Sequence, residues 1–298
     1  METKEGTFDI GNHSFYCKTW TPRSSVCANV VFIHGFSEHV NRYNEFFPKL
    51  AAHGLQIYAW DKRGYGKSVI KPSQKGLTGP TSQVVADIAA FVREKLQSDD
   101  LTTPPVPLFV MGYSIGGGEA LLMAADNHFA DLVCRVRGWI LESPFIGFPP
   151  GQSPNRIKIA AVRLLSGLAP SHQVKHRIPP DHLSRDAAVA NAVRSDPLCH
   201  YTGTLEGLSS LLDRTAMLSS GQVRLSNRVH SIFLAHGTDD RQCSHDAAMK
   251  FIQAQDAVED KTWKSYEGGF HQLHQDYCKD EFAQDVVDWI LQRIDTRG

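Results

Sequence analysis

The chain has 298 residues, 42% of them apolar, enough for one large globular core with a sizeable insertion and no disulfide or metal staples. Its 31 lysines and arginines against 32 aspartates and glutamates leave no field that would hold a nucleic acid, and no apolar run approaches the ~18 residues of a membrane span. Six cysteines without CxxC spacing and fourteen histidines without an HExxH pattern argue against a disulfide framework and a metal centre, and suit a reducing, cytoplasmic compartment. Met1 to Thr7 is polar with no signal core, and Asp295 to Gly298 carries no lipidation or retention tag.

In chain order, Thr7 to Tyr16 reads as a hairpin broken at Gly11-Asn12. Apolar runs of strand length follow at Val30 to Ile33 and Leu55 to Trp60. After Pro80, residues Val84, Ile88, Phe91 and Val92 share one face of a helix that Thr81 or Ser82 can cap. Further strand-like runs lie at Val106 to Met111, Trp139 to Leu141 and Ile232 to Ala235, and Phe282, Val286, Trp289 and Ile290 repeat the helical spacing near the end. Alternating strand and helix imply a mostly parallel sheet with helices on both faces.

From Pro144 to about Leu225 the alternation stops. Pro/Gly-rich turns there flank helical stretches with no strand signal, as in an inserted helical lid, so the expected division is core 1–144, lid 145–225, core 226–298. Within the lid, Ile157, Ala161, Leu164, Leu165 and Leu168 share one face and Arg156 and Arg163 another. That apolar face either packs on the core or meets a lipid surface, a membrane or droplet.

The chemistry concentrates on Gly112-Tyr113-Ser114-Ile115-Gly116, between a buried strand and a helix. A serine on so sharp a turn needs small neighbours, which the two glycines supply, and its hydroxyl is pushed outward as a nucleophile. The pattern arises by chance in about one chain in ten of this length, so its context has to carry it. Serine is a poor nucleophile at neutral pH and needs a base, with an acid to orient that base. In α/β-hydrolase folds the order is serine, acid, histidine, and the chain offers His236-Gly237-Thr238-Asp239-Asp240 after a late strand and Gly268-Gly269-Phe270-His271 on a later loop. Asp239 competes with Asp240, and His274 with His271; the loop spacing favours Asp240 and the loop position His271. Oxyanion donors are expected from the Ile115 amide at the helix start and the Phe36 amide after the strand that ends at Ile33.

Beyond these, His34-Gly35-Phe36-Ser37-Glu38-His39 with Arg42-Tyr43, Asp61 to Ser68, Leu183-Ser184-Arg185 and Ser195-Asp196-Pro197-Leu198 complete a set spread over most of the chain. With this set the chain resembles the monoacylglycerol lipases, serine hydrolases of the α/β-hydrolase fold. The resemblance implies a Ser114, Asp240, His271 triad, an oxyanion hole at Phe36 and Ile115, and a glycerol site near Glu38 and His274. It implies hydrolysis of long-chain monoacylglycerols without a cofactor or metal, the rivals being a lysophospholipase or broad carboxylesterase and a non-catalytic lipid sensor. Tyr113 stands where such lipases often carry histidine, and Val193 where they can carry a glycerol-contacting tyrosine.

Overall fold

The computed structural model describes residues 1–99 and 105–294. The carboxy-terminal residues 295–298, expected above to carry no tag, lie outside the described residues. The strands among the described residues are β1 (Glu2–Ile10), β2 (His13–Thr21), β3 (Ala28–Ile33), β4 (Leu55–Trp60), β5 (Leu108–Tyr113), β6 (Gly138–Glu142), β7 (Gln173–Lys175), β8 (Thr202–Thr204), β9 (Ser231–Gly237) and β10 (Asp260–Tyr266). The α-helices are α1 (Phe46–Ala52), α2 (Thr81–Asp99), α3 (Ile115–Ala125), α4 (Ala130–Val133), α5 (Arg156–Leu168), α6 (Ala187–Ser195), α7 (Leu205–Ser219), α8 (His245–Gln253) and α9 (Lys279–Ile294).

Eight strands form one sheet in the order β1-β2-β4-β3-β5-β6-β9-β10. The pairings from β4 to β10 are parallel, and β2 runs against both its neighbours. The central strands are buried on both faces, so successive side chains alternate between two cores. Val31 and Ile33 of β3, with Leu108 and Val110 of β5, join the layer under α2, α3 and α8. Val30 and Phe32, with Phe109, Met111 and Tyr113, face α1 and α9 on the other side. The helical stripes read from the sequence lie where they were expected: Val84, Ile88, Phe91 and Val92 in one core, and Phe282, Val286, Trp289 and Ile290 in the other. Helix α2 begins at Thr81 itself, and the Pro80 carbonyl accepts from the Val84 amide, so neither Thr81 nor Ser82 precedes the helix as a cap.

Between β6 and β9 is inserted a lid of three helices, α5, α6 and α7. It also holds the two-stranded antiparallel ribbon β7-β8, which corrects the reading that this region carries no strand. Three residues per strand are too few to show alternation. Together, a mostly parallel sheet flanked by helices and a helical insert after the sixth strand make an α/β-hydrolase fold.

The apolar face of α5 points away from the protein. Ile157, Leu164 and Leu168 are 81%, 68% and 75% exposed, while Ile159 and Val162 are only partly covered on the inner side. Packing of that stripe on the core is therefore excluded in this conformation.

Candidate active site

The loops that follow the carboxyl ends of β3, β5, β9 and β10 converge, as ligand sites do in parallel sheets. Ser114 follows β5 and has φ 57° and ψ −123°, a backbone state that costs a non-glycine residue about 1–3 kcal/mol. The turn is tight enough that a Cβ on Gly116 would lie 2.4 Å from the Ile33 carbonyl oxygen, and one on Gly112 2.7 Å from the Gly116 oxygen. This close approach of β3, β5 and α3 explains the two glycines. Ser114 is tied to the neighbouring strand by its own amide, which donates to the Glu142 carbonyl at 2.9 Å.

His271 Nε2 lies 2.9 Å from Ser114 Oγ, and His271 Nδ1 lies 2.8 Å from Asp240 Oδ2. The Asp240 side chain is fully buried. Its Oδ1 accepts from the amides of Gln242 at 2.7 Å and Cys243 at 3.0 Å, and its Oδ2 also faces His236 Nε2 at 2.9 Å. Burial alone would raise the Asp240 pKa, but the charge and hydrogen bond of His271 and the hydrogen bond from His236 hold it well below the usual carboxylate range. An ionised acceptor fixes the tautomer: Nδ1 of His271 carries the hydrogen and donates to Asp240, leaving the Nε2 lone pair for the Ser114 hydroxyl. The competing Asp239 is exposed, and its backbone amide donates to the Gly269 carbonyl at 3.0 Å.

Phe36 lines the cavity that also holds Ser114 and His271, and Ile115 directly follows Ser114. Ile115 is the first residue of α3, where an amide has no intrahelical acceptor. Phe36 follows the His34-Gly35 turn, which is held by His34: Nδ1 donates to the Gly35 carbonyl at 2.8 Å, and Nε2 accepts from the Lys62 amide at 2.9 Å. Burial, and then the Lys62 charge, push the His34 pKa well below that of a free imidazole, which keeps this donor and acceptor pair intact. The next residue, Ser37, has φ 55°, and its Oγ accepts from the Tyr201 amide of the lid at 2.7 Å.

Glu38 and His274 have different surroundings. Glu38 lines the small cavity over Ser114, of about 20 Å³, together with Ile178, Leu183, Val193 and Tyr201 from the lid. Its Oε1 accepts from Gln272 Nε2 at 2.8 Å and from Arg42, and its Oε2 is buried with no partner. His274 does not line the cavity. Its Nδ1 is 2.6 Å from Glu142 Oε1, and its ring stacks on Tyr43 and meets the edge of Tyr113, the residue that separates it from His271.

The lid segments singled out in the sequence hold this site together. The Leu183 carbonyl accepts from the amide of Gln272, directly after His271, at 2.7 Å; Ser184 Oγ donates to the Gln275 carbonyl; Arg185 pairs with Asp276, whose Oδ2 accepts from the Phe270 amide. Asp196 Oδ2 lies 2.7 Å from His39 Nε2. Two residues had no sequence signal: His236, the second imidazole on Asp240, and Tyr201, whose φ is 52° and whose buried hydroxyl has no partner.

Among the described residues, two groups of side chains have donors within 4.8 Å of one another that could hold a metal ion: His39, Asp196 and Cys199, and Asp240, Cys243 and His271. In both, the imidazole and carboxylate already bond to each other, and burial pushes both thiols up, away from the thiolate a metal needs.

A family model described as serine aminopeptidase, S33, matches residues 24–277. A Schizosaccharomyces pombe protein provisionally named as a monoglyceride lipase is 32% identical over 93% of this chain and 71% of its own length. The monoglyceride lipase of Rattus norvegicus is 29% identical over 95% of this chain and 88% of its own. A solved structure of a soluble variant of the Saccharomyces cerevisiae monoglyceride lipase, in complex with a substrate analogue, superposes with a TM-score of 0.86 at 22% identity, over 98% of this chain and 96% of that one, and speaks for the fold. The chain therefore belongs to the serine aminopeptidase S33 family, in the monoglyceride-lipase branch of the α/β-hydrolases, which places it among the serine-dependent carboxylic ester hydrolases.

Proposed function

We propose that this protein hydrolyses long-chain monoacylglycerols to fatty acid and glycerol through an acyl-Ser114 intermediate. The observation that carries the reading is the unbroken line from Ser114 Oγ through His271 to a buried, ionised Asp240. His271 Nε2 takes the Ser114 proton as Oγ bonds to the ester carbon, and the amides of Phe36 and Ile115 meet the developing oxyanion. When the tetrahedral intermediate collapses, the imidazolium returns that proton to the leaving glycerol oxygen. Water then enters and its oxygen bonds to the acyl carbon as His271 takes its proton; collapse of this second tetrahedral intermediate breaks the acyl–Oγ bond, the imidazolium returning the proton to Ser114 Oγ as the fatty acid leaves. These steps use side chains and amides of the chain alone. The free Oε2 of Glu38 supports recognition of a substrate hydroxyl, with Arg42 holding the carboxylate in place.

A cavity of about 20 Å³ holds no acyl chain, so binding displaces Ile178, Leu183 or Val193 outward. Each methylene that enters returns about 0.8 kcal/mol. The expected movement belongs to a cap spanning 145–225 over core segments 1–144 and 226–298. No helix among the described residues is long and apolar enough to cross a membrane. We assign the exposed stripe of α5 to peripheral docking on a lipid surface, where Leu164 and Leu168 would insert. Leu164→Glu with Leu168→Glu is expected to weaken partitioning onto liposomes roughly tenfold or more while sparing turnover of dispersed substrate; unchanged flotation would remove the docking role.

The substrate reading is tested with purified protein on a long-chain monoacylglycerol, a lysophosphatidylcholine of the same chain and a short p-nitrophenyl ester. The highest kcat/KM is expected on the monoacylglycerol. Glu38→Gln should raise KM for it more than for the p-nitrophenyl ester, which has no hydroxyl to bind. Equal effects on both esters would deny Glu38 that role.

A further inference from the structure

A second cavity, of about 630 Å³, opens beside the catalytic one, within the size range of small-molecule sites. Four cations line it: Lys75 from the core, and Lys175, Arg177 and Arg194 from the lid. The acidic residue in its wall, Asp196, is engaged by His39. Arg194 pairs with Asp181. Among the described residues, the side chains of Lys75, Lys175 and Arg177 make neither an ion pair nor a hydrogen bond. Their field reaches inward. His200 lines the same wall, and its pKa is pushed down to about 4, first by burial and then by the charges of Lys75 and Lys175.

Ile178 and Tyr201 are shared by this vestibule and the cavity over Ser114. The two cavities thus adjoin at these two side chains. Tyr201 is fixed there by its left-handed backbone and by the hydrogen bond that its amide donates to Oγ of Ser37, the residue after Phe36. Its hydroxyl is unpartnered. Lys75 is half-buried and Lys175 and Arg177 are exposed, so a neutral glycerol head gives these like charges no partner, whereas an anion compensates them, an effect that salt screens.

We propose that the vestibule receives the anionic headgroup of single-chain esters, a phosphate carried on the alcohol side of the scissile bond, so that the enzyme cleaves acylglycerol phosphates as well as neutral monoacylglycerols. This rests on Ser114 acting as the nucleophile. The phosphate belongs to the substrate molecule and not to a surrounding lipid surface.

The test compares wild type with the double variant Lys175→Glu, Arg177→Glu on a decanoyl monoglyceride and on the same ester bearing a phosphate, both dispersed below micelle formation. The ratio of kcat/KM for the phosphate ester to that for the neutral ester is expected to fall at least roughly tenfold in the variant, and to fall in wild type as salt is raised. Glycerol phosphate should compete with the phosphate ester in wild type and lose that competition in the variant. A ratio unchanged by the substitutions overturns the proposal. So does a loss that is equal for both esters and appears only when they are embedded in anionic vesicles, because the cations then face a membrane. If wild type cleaves neither ester, the Ser114 reading fails, and calorimetric binding of glycerol phosphate decides the vestibule alone: binding abolished by the double variant supports it, and absence of binding overturns it.

Discussion

Ser114→Ala is expected to lower kcat on any ester by roughly 10⁵ to 10⁶, leaving only the rate supplied by the oxyanion donors and substrate binding. The substitution removes the atom that bonds to the acyl carbon and leaves its surroundings in place. Ala at φ 57° keeps the strain that Ser114 already bears, and His271 Nε2 loses one hydrogen-bond donor. The stability change should stay near 1 kcal/mol, a shift of a few degrees in Tm for a chain of this size. A folded variant that binds a non-hydrolysable monoacylglycerol ether as wild type does, and turns over no ester, is the expected outcome. Appreciable turnover by that folded protein would remove Ser114 from the chemistry.

Asp240→Asn is expected to reduce kcat by about 10⁴. All four contacts of this carboxylate are donors: His271 Nδ1-H and His236 Nε2-H on Oδ2, and the Gln242 and Cys243 amides on Oδ1. An amide cannot accept on both sides, so in either orientation its NH₂ faces donors. The His271 ring then loses the interaction that keeps hydrogen on Nδ1, and Nε2 no longer serves as base. Each donor left unpaired in this buried place costs about 1–3 kcal/mol, so the variant should also melt earlier. The pH dependence has a definite sign. The folded-state pKa of Asp240 lies below the unfolded value near 3.9, so the stabilisation is fully present above that value and is lost as pH falls through the folded pKa. The stability gap between wild type and Asp240→Asn should therefore be constant at neutral pH and shrink in strong acid. Urea melts across that range check it, and a gap that widens on acidification would contradict the assignment.

The legible parts of the fold were those that physics makes repetitive. Strands β3, β5, β6 and β9 are buried on both faces and so appear as mostly apolar runs, although β5 starts at Leu108, two residues later than its run suggests; β4 is marked instead by buried Leu55, Ile57, Ala59 and Trp60 around half-buried Gln56 and Tyr58. Strand β10, Asp-Lys-Thr-Trp-Lys-Ser-Tyr, lies at the sheet edge, where most of its side chains are half-buried and Trp263 and Ser265 are exposed, and carries no such run. In α5 the spacing revealed an apolar stripe but not its direction, because periodicity is blind to which side the neighbours occupy. At the site, Gly112 and Gly116 announced the turn because only residues without a side chain fit between three backbones. His236 and Tyr201 stayed silent. The first belongs to an ordinary buried strand until its ring is seen on Asp240, and the second owes its place to a left-handed backbone state that its residue type does not advertise.

The most direct measurement is covalent labelling with a fluorophosphonate probe, mapped by mass spectrometry in wild type and in His271→Ala. The account requires a single modified residue, Ser114, in wild type, with labelling slowed by several orders of magnitude when the imidazole is removed. An unlabelled Ser114 in active protein, or labelling that ignores the loss of His271, would contradict it.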